Sequence, residues 1–362
     1  MPDELQRTPL YARHAESGGR LVPFAGWEMP VQYSGVIDEV RVVRTAAGVF
    51  DVSHMGQVQV GGSAAHAFLQ GVLSNDLDRL SPGEAQYTLL TNERGGIVDD
   101  LIAYRRESGY LLVVNAGNRA TDMAHLTERL PPEATLADES DALGMLALQG
   151  PAALALLAPL CEGIDPLSAK AFTFAEARVA GVPCTVARTG YTGEPGVELI
   201  CSATELVALW DALIEAGAVA CGLGARDALR LEVCYPLHGN DITQDTNAIE
   251  AGLGWVCAPD KRYVGSDVLA QTRADGPQRR LVALRMDEER AVPRPGCPIT
   301  DAGTVVGEVT SGTFSPTLER GIGLGYVPSA LAASDTAIAV DVRGRTRMAH
   351  TARKPLYVGG SD

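Results

Sequence analysis

The stretch GGIVDDLIAY, residues 95–104, places Asp99 and Asp100 side by side inside an apolar run. A carboxylate there can accept N–H donors, anchor a developing positive charge or carry a proton. Ile97, Val98, Leu101, Ile102 and Tyr104 favour a strand, entered from the Gly95-Gly96 turn. Strand alternation sets Asp99 with Ile97 and Leu101, and Asp100 with Val98 and Ile102. The two acids therefore cannot form a proton-sharing dyad. One of them can face water, but if both sheet faces are covered the other points into the interior or a cavity, where an unpaired carboxylate costs several kcal/mol.

Two further blocks repeat the pattern of charge among apolar residues. In RTGYTGEPGVELIC, residues 188–201, three glycines permit close backbone approach, and Glu198 follows between Val197 and Leu199. A carboxylate pairs in fork geometry with a guanidinium or with the amino-pyrimidine edge of a pterin. In GARDALRLE, residues 224–232, Arg226 and Arg230 share a helix face and Asp227 stands three residues before Arg230. Each block also has a plain structural reading: a partnered strand-end Asp, a hairpin with a salt-bridged Glu, and a solvated ion-pair face.

The elements that must position these residues are legible in the periodicity. Apolar spacing predicts helices over 62–73, 203–216 and 224–234, and strands in GQVQVGG, YLLVVNAG, PCTVART and GVELICS. Residues 143–161 carry no charge, but Gln149-Gly150, Pro151 and Pro159 divide them into a short strand and a short helix rather than a membrane span. Residues 272–280 read as a linker. Beyond them, TVVGEVTSG, GIGLGYV and AIAVDVRGRTRM read as short strands of a small β unit. Taken as one strand, residues 341–354 would align Arg343, Arg345 and Arg347 on a single face.

Bulk properties exclude several classes. A chain of 362 residues exceeds the usual reach of one core. The net charge of −15 disfavours general binding to nucleic acid or to an anionic membrane. Seven scattered cysteines without a Cys-x-x-Cys, and six dispersed histidines, fit a reducing cytoplasmic compartment and no metal. The N-terminus lacks the apolar stretch of a secretory leader. Neither a phosphate-binding Gly-Lys-Ser/Thr nor a Gly-x-Ser-x-Gly elbow occurs.

Six blocks, in order, resemble the glycine cleavage system T protein, the aminomethyltransferase family. They are residues 14–57, YTLLTNERGGIVDDLIAY, TGYTGEPGVEL, GLGARDALRLE, LHGND and EVTSGTFSPTLERGIGLGYV. The resemblance spans nearly the whole chain. It implies an α+β fold: a three-domain cloverleaf of two ferredoxin-like units and a C-terminal β-barrel around a central folate channel. Residues 1–50 with 140–275 would form the first domain, 51–139 the second and 280–362 the third. The implied reaction moves an aminomethyl carbon from the dihydrolipoyl arm of the lipoylated H protein to tetrahydrofolate, giving 5,10-methylenetetrahydrofolate and ammonia.

Matched to the family motif, Asp100 takes the catalytic role, Tyr191 and Glu198 the pterin, and Arg230 a charge partner beside it. Tyr87 and Asn115 would line the channel. One departure is the C-terminal RKPLYVGG, where family members often carry Pro-Phe, so Tyr357 stays outside the expected site. Two relatives of the same superfamily compete. The folate half of a dimethylglycine or sarcosine dehydrogenase is usually fused to a flavin domain. The non-enzymatic folate-binding factor of iron-sulfur maturation carries a cysteine block, which DKRYVGSDVL, residues 260–269, lacks.

Overall fold

A computed structural model describes residues 5–359. Two large sheets, a two-stranded ribbon of Arg20–Phe24 and Trp27–Gln32, and a closed barrel organise the described residues. The first sheet has seven strands, ordered Cys161–Glu162, Phe174–Val179, Val182–Ala187, Gly196–Ser202, Leu143–Gln149, Gly48–Asp51 and Val219–Ala220. All neighbours are antiparallel except the last pair. The second sheet is antiparallel, ordered Ala85–Thr91, Ile97–Arg105, Tyr110–Val114, Gly56–Gly61 and Thr135–Asp138.

Burial of alternate faces explains these layers. The Leu206–Glu215 helix sets Leu206, Leu209, Trp210 and Leu213 on one stripe, which packs on the outer face of the seven-stranded sheet. The inner face carries Phe50, Met145, Ala147 and Ile200. It meets Tyr104, Leu111 and Val113 of the five-stranded sheet, together with the Val36–Thr45 and Leu223–Glu232 helices. The two sheets thus share one core. Ile242, Ala248, Leu253 and Leu269, from the segment that the sequence division places with residues 140–275, pack with Leu89 and Ile97 of the five-stranded sheet.

Six strands from Arg279–Met286 to Thr346–Ala352 close the barrel, which leaves no free edge. GIGLGYV is indeed a strand, within Arg320–Pro328, and a Cβ on Gly321 would stand 1.9 Å from the Ala291 carbonyl oxygen. Two sequence expectations need correction here. The linker shrinks to residues 276–278, because the Ser266–Asp275 helix takes its first four residues and the Arg279–Met286 strand its last two. Residues 341–354 are no single strand: the chain turns back after Asp341, with Arg343 at φ 58°, so the three arginines do not form one stripe.

Buried ion pairs tie the barrel to the rest. Arg44 donates to Glu194 at 2.9 Å and to Glu232 at 2.6 Å. Glu232 also accepts from Ser315 and Thr317 of the barrel. Tyr357 closes this junction, donating its hydroxyl to Glu194 while the Arg44 guanidinium lies 4.0 Å from its ring centre. Glu232 is fully buried, so Glu232→Ala would leave the Arg44 cation with Glu194 as its one carboxylate among the described residues and take the shared acceptor from Ser315 and Thr317. Denaturant unfolding is expected to report a loss of about 3–5 kcal/mol, whereas an unchanged midpoint would show the junction to be dispensable.

Candidate active site

The strand bearing Asp99 and Asp100 departs from simple alternation. Leu89 pairs with Asp100 and Leu90 with Asp99, but Thr91 pairs with Ile97, so Val98 is an extra residue in a β-bulge. Past the bulge, Val98 packs with Leu101 beneath the helices, while Ile97 packs with Leu89 on the opposite side. Asp99 therefore shares a face with Val98 rather than with Ile97. The acids still point apart, as expected, but Asp99 is no surface residue: it is fully buried. It accepts from the Asn115 backbone at 2.9 Å, the Asn115 amide at 2.8 Å and the Asn118 amide at 2.5 Å.

Asp100 faces a cavity of about 1200 Å³ between the two sheets and the barrel. Its Oδ2 accepts from the Tyr87 hydroxyl at 2.9 Å and its Oδ1 from Asn115 at 3.0 Å. Burial, then the nearby Asp99 charge, push its carboxyl up to about 7, opposed by Tyr87, His238 and Asn115. Such a group is poised to exchange a proton near neutrality. Tyr87 itself stacks on Trp255, an exposed ring at the cavity wall.

On the opposite wall, Gly190 and Gly196 bring the backbone hard against Gln149; a Cβ on Gly190 would stand 2.1 Å from its Oε1. This close seat sets Glu198 facing the cavity. The two donors that reach it, Thr189 at 2.6 Å and Tyr104 at 3.5 Å, both go to Oε2, which leaves Oε1 for an incoming N–H. Tyr191 is fixed by donating to the Pro236 carbonyl. All six residues singled out from the sequence, Tyr87, Asp100, Asn115, Tyr191, Glu198 and Arg230, line this one cavity.

Arg230 nevertheless has no donor to spare. Its Nε and Nη2 bind Asp227, its Nη1 binds Asp241 and the Tyr235 carbonyl, and its Nη2 also binds Ser311. It is a strut between helix and barrel, not the solvated ion pair that the i,i+3 spacing suggested. The guanidinium left open is that of Arg226, one turn earlier. Its Nη1 is buried without a hydrogen-bond partner among the described residues, and its Cζ lies 4.8 Å from the Tyr191 ring centre. Burial draws its pKa down, with Glu198 as the main compensating charge. Repetition of arginine at i,i+4 was the available signal, but spacing alone could not tell which of the two was already bound.

His238 lines the same cavity: its Nδ1 accepts from the Asn118 amide at 2.8 Å and its Nε2 donates to the Ile97 carbonyl at 3.0 Å. His54, buried at the cavity with Nδ1 unpartnered, is held neutral, its pKa drawn down by burial to about 4. Among the described residues, no group of His, Cys, Asp and Glu is arranged to hold a metal ion. Nor is any helix among them long and apolar enough to cross a membrane.

Residues 10–261 match the GCVT N-terminal domain and residues 279–357 the glycine cleavage T-protein C-terminal barrel domain. The chain belongs to the glycine cleavage T-protein family. An aminomethyltransferase of Symbiobacterium thermophilum is 47% identical over 99% of this chain and 98% of its own length. One from Geobacillus kaustophilus is 45% identical over 98% and 99%. Among solved structures, the glycine cleavage system aminomethyltransferase T from Bartonella henselae superposes with a TM-score of 0.92 at 35% identity, covering 98% of this chain and 99% of that one. The activity is aminomethyl transfer in glycine cleavage, and the barrel and paired α/β sheets are the family's fold.

For this family member, Tyr87→Phe keeps the ring stack and deletes one hydrogen bond to the Asp100 carboxylate. Losing a donor to the charged form raises the carboxyl pKa, so the Asp100 titration, followed by carbon NMR, is expected to move to higher pH. An unshifted titration would separate Tyr87 from this carboxyl.

Proposed function

We propose that tetrahydrofolate occupies this cavity and accepts the aminomethyl carbon from the dihydrolipoyl arm of the H protein, releasing ammonia. The observation that carries this reading is Asp100, a buried carboxyl oriented by Tyr87 and Asn115 on the wall of a large, mostly apolar cavity and pushed up by burial to about 7. The donor set opposite fits a reduced pterin. Glu198 offers an acceptor oxygen to the amino-pyrimidine N–H groups, and the unpartnered Nη1 of Arg226 offers a donor to a ring carbonyl. Tyr191, Tyr87 and Trp255 supply flat apolar surface. The volume, about 1200 Å³, exceeds what a small ligand needs and leaves room for the end of a carrier arm.

Bound tetrahydrofolate supplies the amine nucleophiles that receive the carbon. The chain's own residues set the geometry and the charge. Tyr87 and Asn115 orient Asp100, whose anion stabilises positive charge that develops on the carbon and the departing ammonia. Because its pKa lies near neutrality, Asp100 also gives or takes a proton without a large uphill step. Arg230 acts indirectly, by holding the helix that carries Arg226 against the barrel.

The direct test is to mix the protein with aminomethyl-loaded H protein and tetrahydrofolate and to measure ammonia release; no folate-dependent release would reject the reading. Asp100→Asn preserves shape and removes the charge, so transfer should fall by about 10²- to 10⁴-fold with folate binding retained. Glu198→Gln sets an amide N–H against the pterin N–H groups and should weaken folate binding in calorimetry. Glu194→Gln should instead lower stability, since Glu194 is buried against Arg44 and Tyr357. Equal losses of folate affinity for the two would remove the Glu198 assignment.

A further inference from the structure

Behind Asp100 lies a third acid that the reaction does not touch. Asp122, on the Arg119–Glu128 helix, is fully buried, and neither of its oxygens receives a hydrogen bond from any described residue. Its carboxyl stands within hydrogen-bond reach of Asp99. Two carboxylates in contact in a dry interior cannot both be ionised. Asp99 accepts three N–H donors from Asn115 and Asn118, which favours its charged form, whereas Asp122 has none. The arrangement that keeps the charge where the donors are puts the proton on Asp122 and directs it at Asp99.

We propose that Asp99 and Asp122 hold one proton between them, Asp122 as the neutral acid donating to the Asp99 carboxylate, so that a fixed negative charge stands behind Asp100. Asp122 and Asp99 are thus positioning residues, acting through Asp100. The bulged strand delivers Asp99 to this helix-facing side while Asp100 opens on the cavity. Of the charged groups on the same helix, Arg119, one turn earlier, is already committed to Asp138 and Asp141. His125, whose buried Nε2 has no hydrogen-bond partner among the described residues, is faced by Arg129, Glu93 and Glu128. From the remaining side His238 reaches Asn118 and acts on Asp100. Burial first, then the Asp99 charge, raise the Asp122 carboxyl far above the ordinary range, in agreement with the geometry.

The proton itself can be observed without any assay of transfer. With carboxyl-labelled aspartate, carbon NMR of the full-length protein should contain one carboxyl that stays protonated through neutral pH and is lost in Asp122→Asn. Ionisation of every buried aspartate other than Asp100 at neutral pH would overturn the proposal, as would a protonated signal that survives Asp122→Asn. Stability gives a second readout. A carboxyl whose pKa is raised by folding makes the native state bind the extra proton, so stability falls as pH rises above its unfolded value of about 3.9. From about pH 5 to 8 the folding equilibrium of Asp122→Asn should gain about tenfold per pH unit relative to the unsubstituted protein. Parallel curves would exclude a proton on Asp122.

The link to Asp100 rests on the function proposed above and is read separately. Asp99→Asn removes the fixed charge, so the Asp100 titration, in NMR or in the pH–rate profile, should move towards ordinary carboxylate values. An unmoved titration would overturn the positioning role. If no folate-dependent transfer occurs at all, the functional reading fails, while the NMR titrations still decide whether the proton and the charge are where the geometry puts them.

Discussion

The Leu223–Glu232 helix carries two buried charges into the junction of all three units, and the cavity depends on that junction. Arg230 reaches across to Asp241 and Ser311, and Glu232 gathers Arg44, Ser315 and Thr317. Salt bridges of this kind need not add much net stability compared with an apolar replacement, because desolvation offsets the Coulomb gain. Their effect is directional: each fork and carboxylate is satisfied in one arrangement, which fixes how helix and barrel meet. The barrel then closes one side of the cavity, and the Leu223–Glu232 helix presents Arg226 to it.

Burial at this cavity makes small charge differences matter. Asp100 is buried, so the Asp99 charge acts on it with little screening. The same conditions keep His54 neutral and leave Arg226 a cation short of partners. These groups are costly in the empty fold and useful only when something complementary is bound, which is the usual trade between stability and activity at functional sites. A single bulge at Val98 separates the acid that is wrapped in amides from the one that faces the ligand space.

Much of the architecture was legible in the sequence because it rests on local periodicity. The 3.6-residue spacing of Leu206, Leu209, Trp210 and Leu213 marks a helix whatever packs on it, and the break at Gln149-Gly150 marks the end of a strand. Where periodicity was weak the reading failed. Residues 266–275 form a helix with little apolar asymmetry, so its last turn, 272–275, passed for linker. The turn after Asp341 depends on Arg343 adopting a positive φ, which its type does not announce.

The chemical residues divide the same way. By itself the sequence determined that Asp99, Asp100, Glu198, Arg226 and Arg230 sit among apolar residues on strands and a helix, since those patterns follow from propensity and alternation over a few positions. Tertiary structure alone decided their duties. It buried Asp99 against Asp122, which lies 23 residues further along the chain, and it consumed every donor of Arg230 on Asp227, Asp241, Ser311 and the Tyr235 carbonyl while leaving Arg226 open. A charge's role is set by the dielectric and the partners around it, and both are supplied by segments distant in sequence, so no local pattern encodes them.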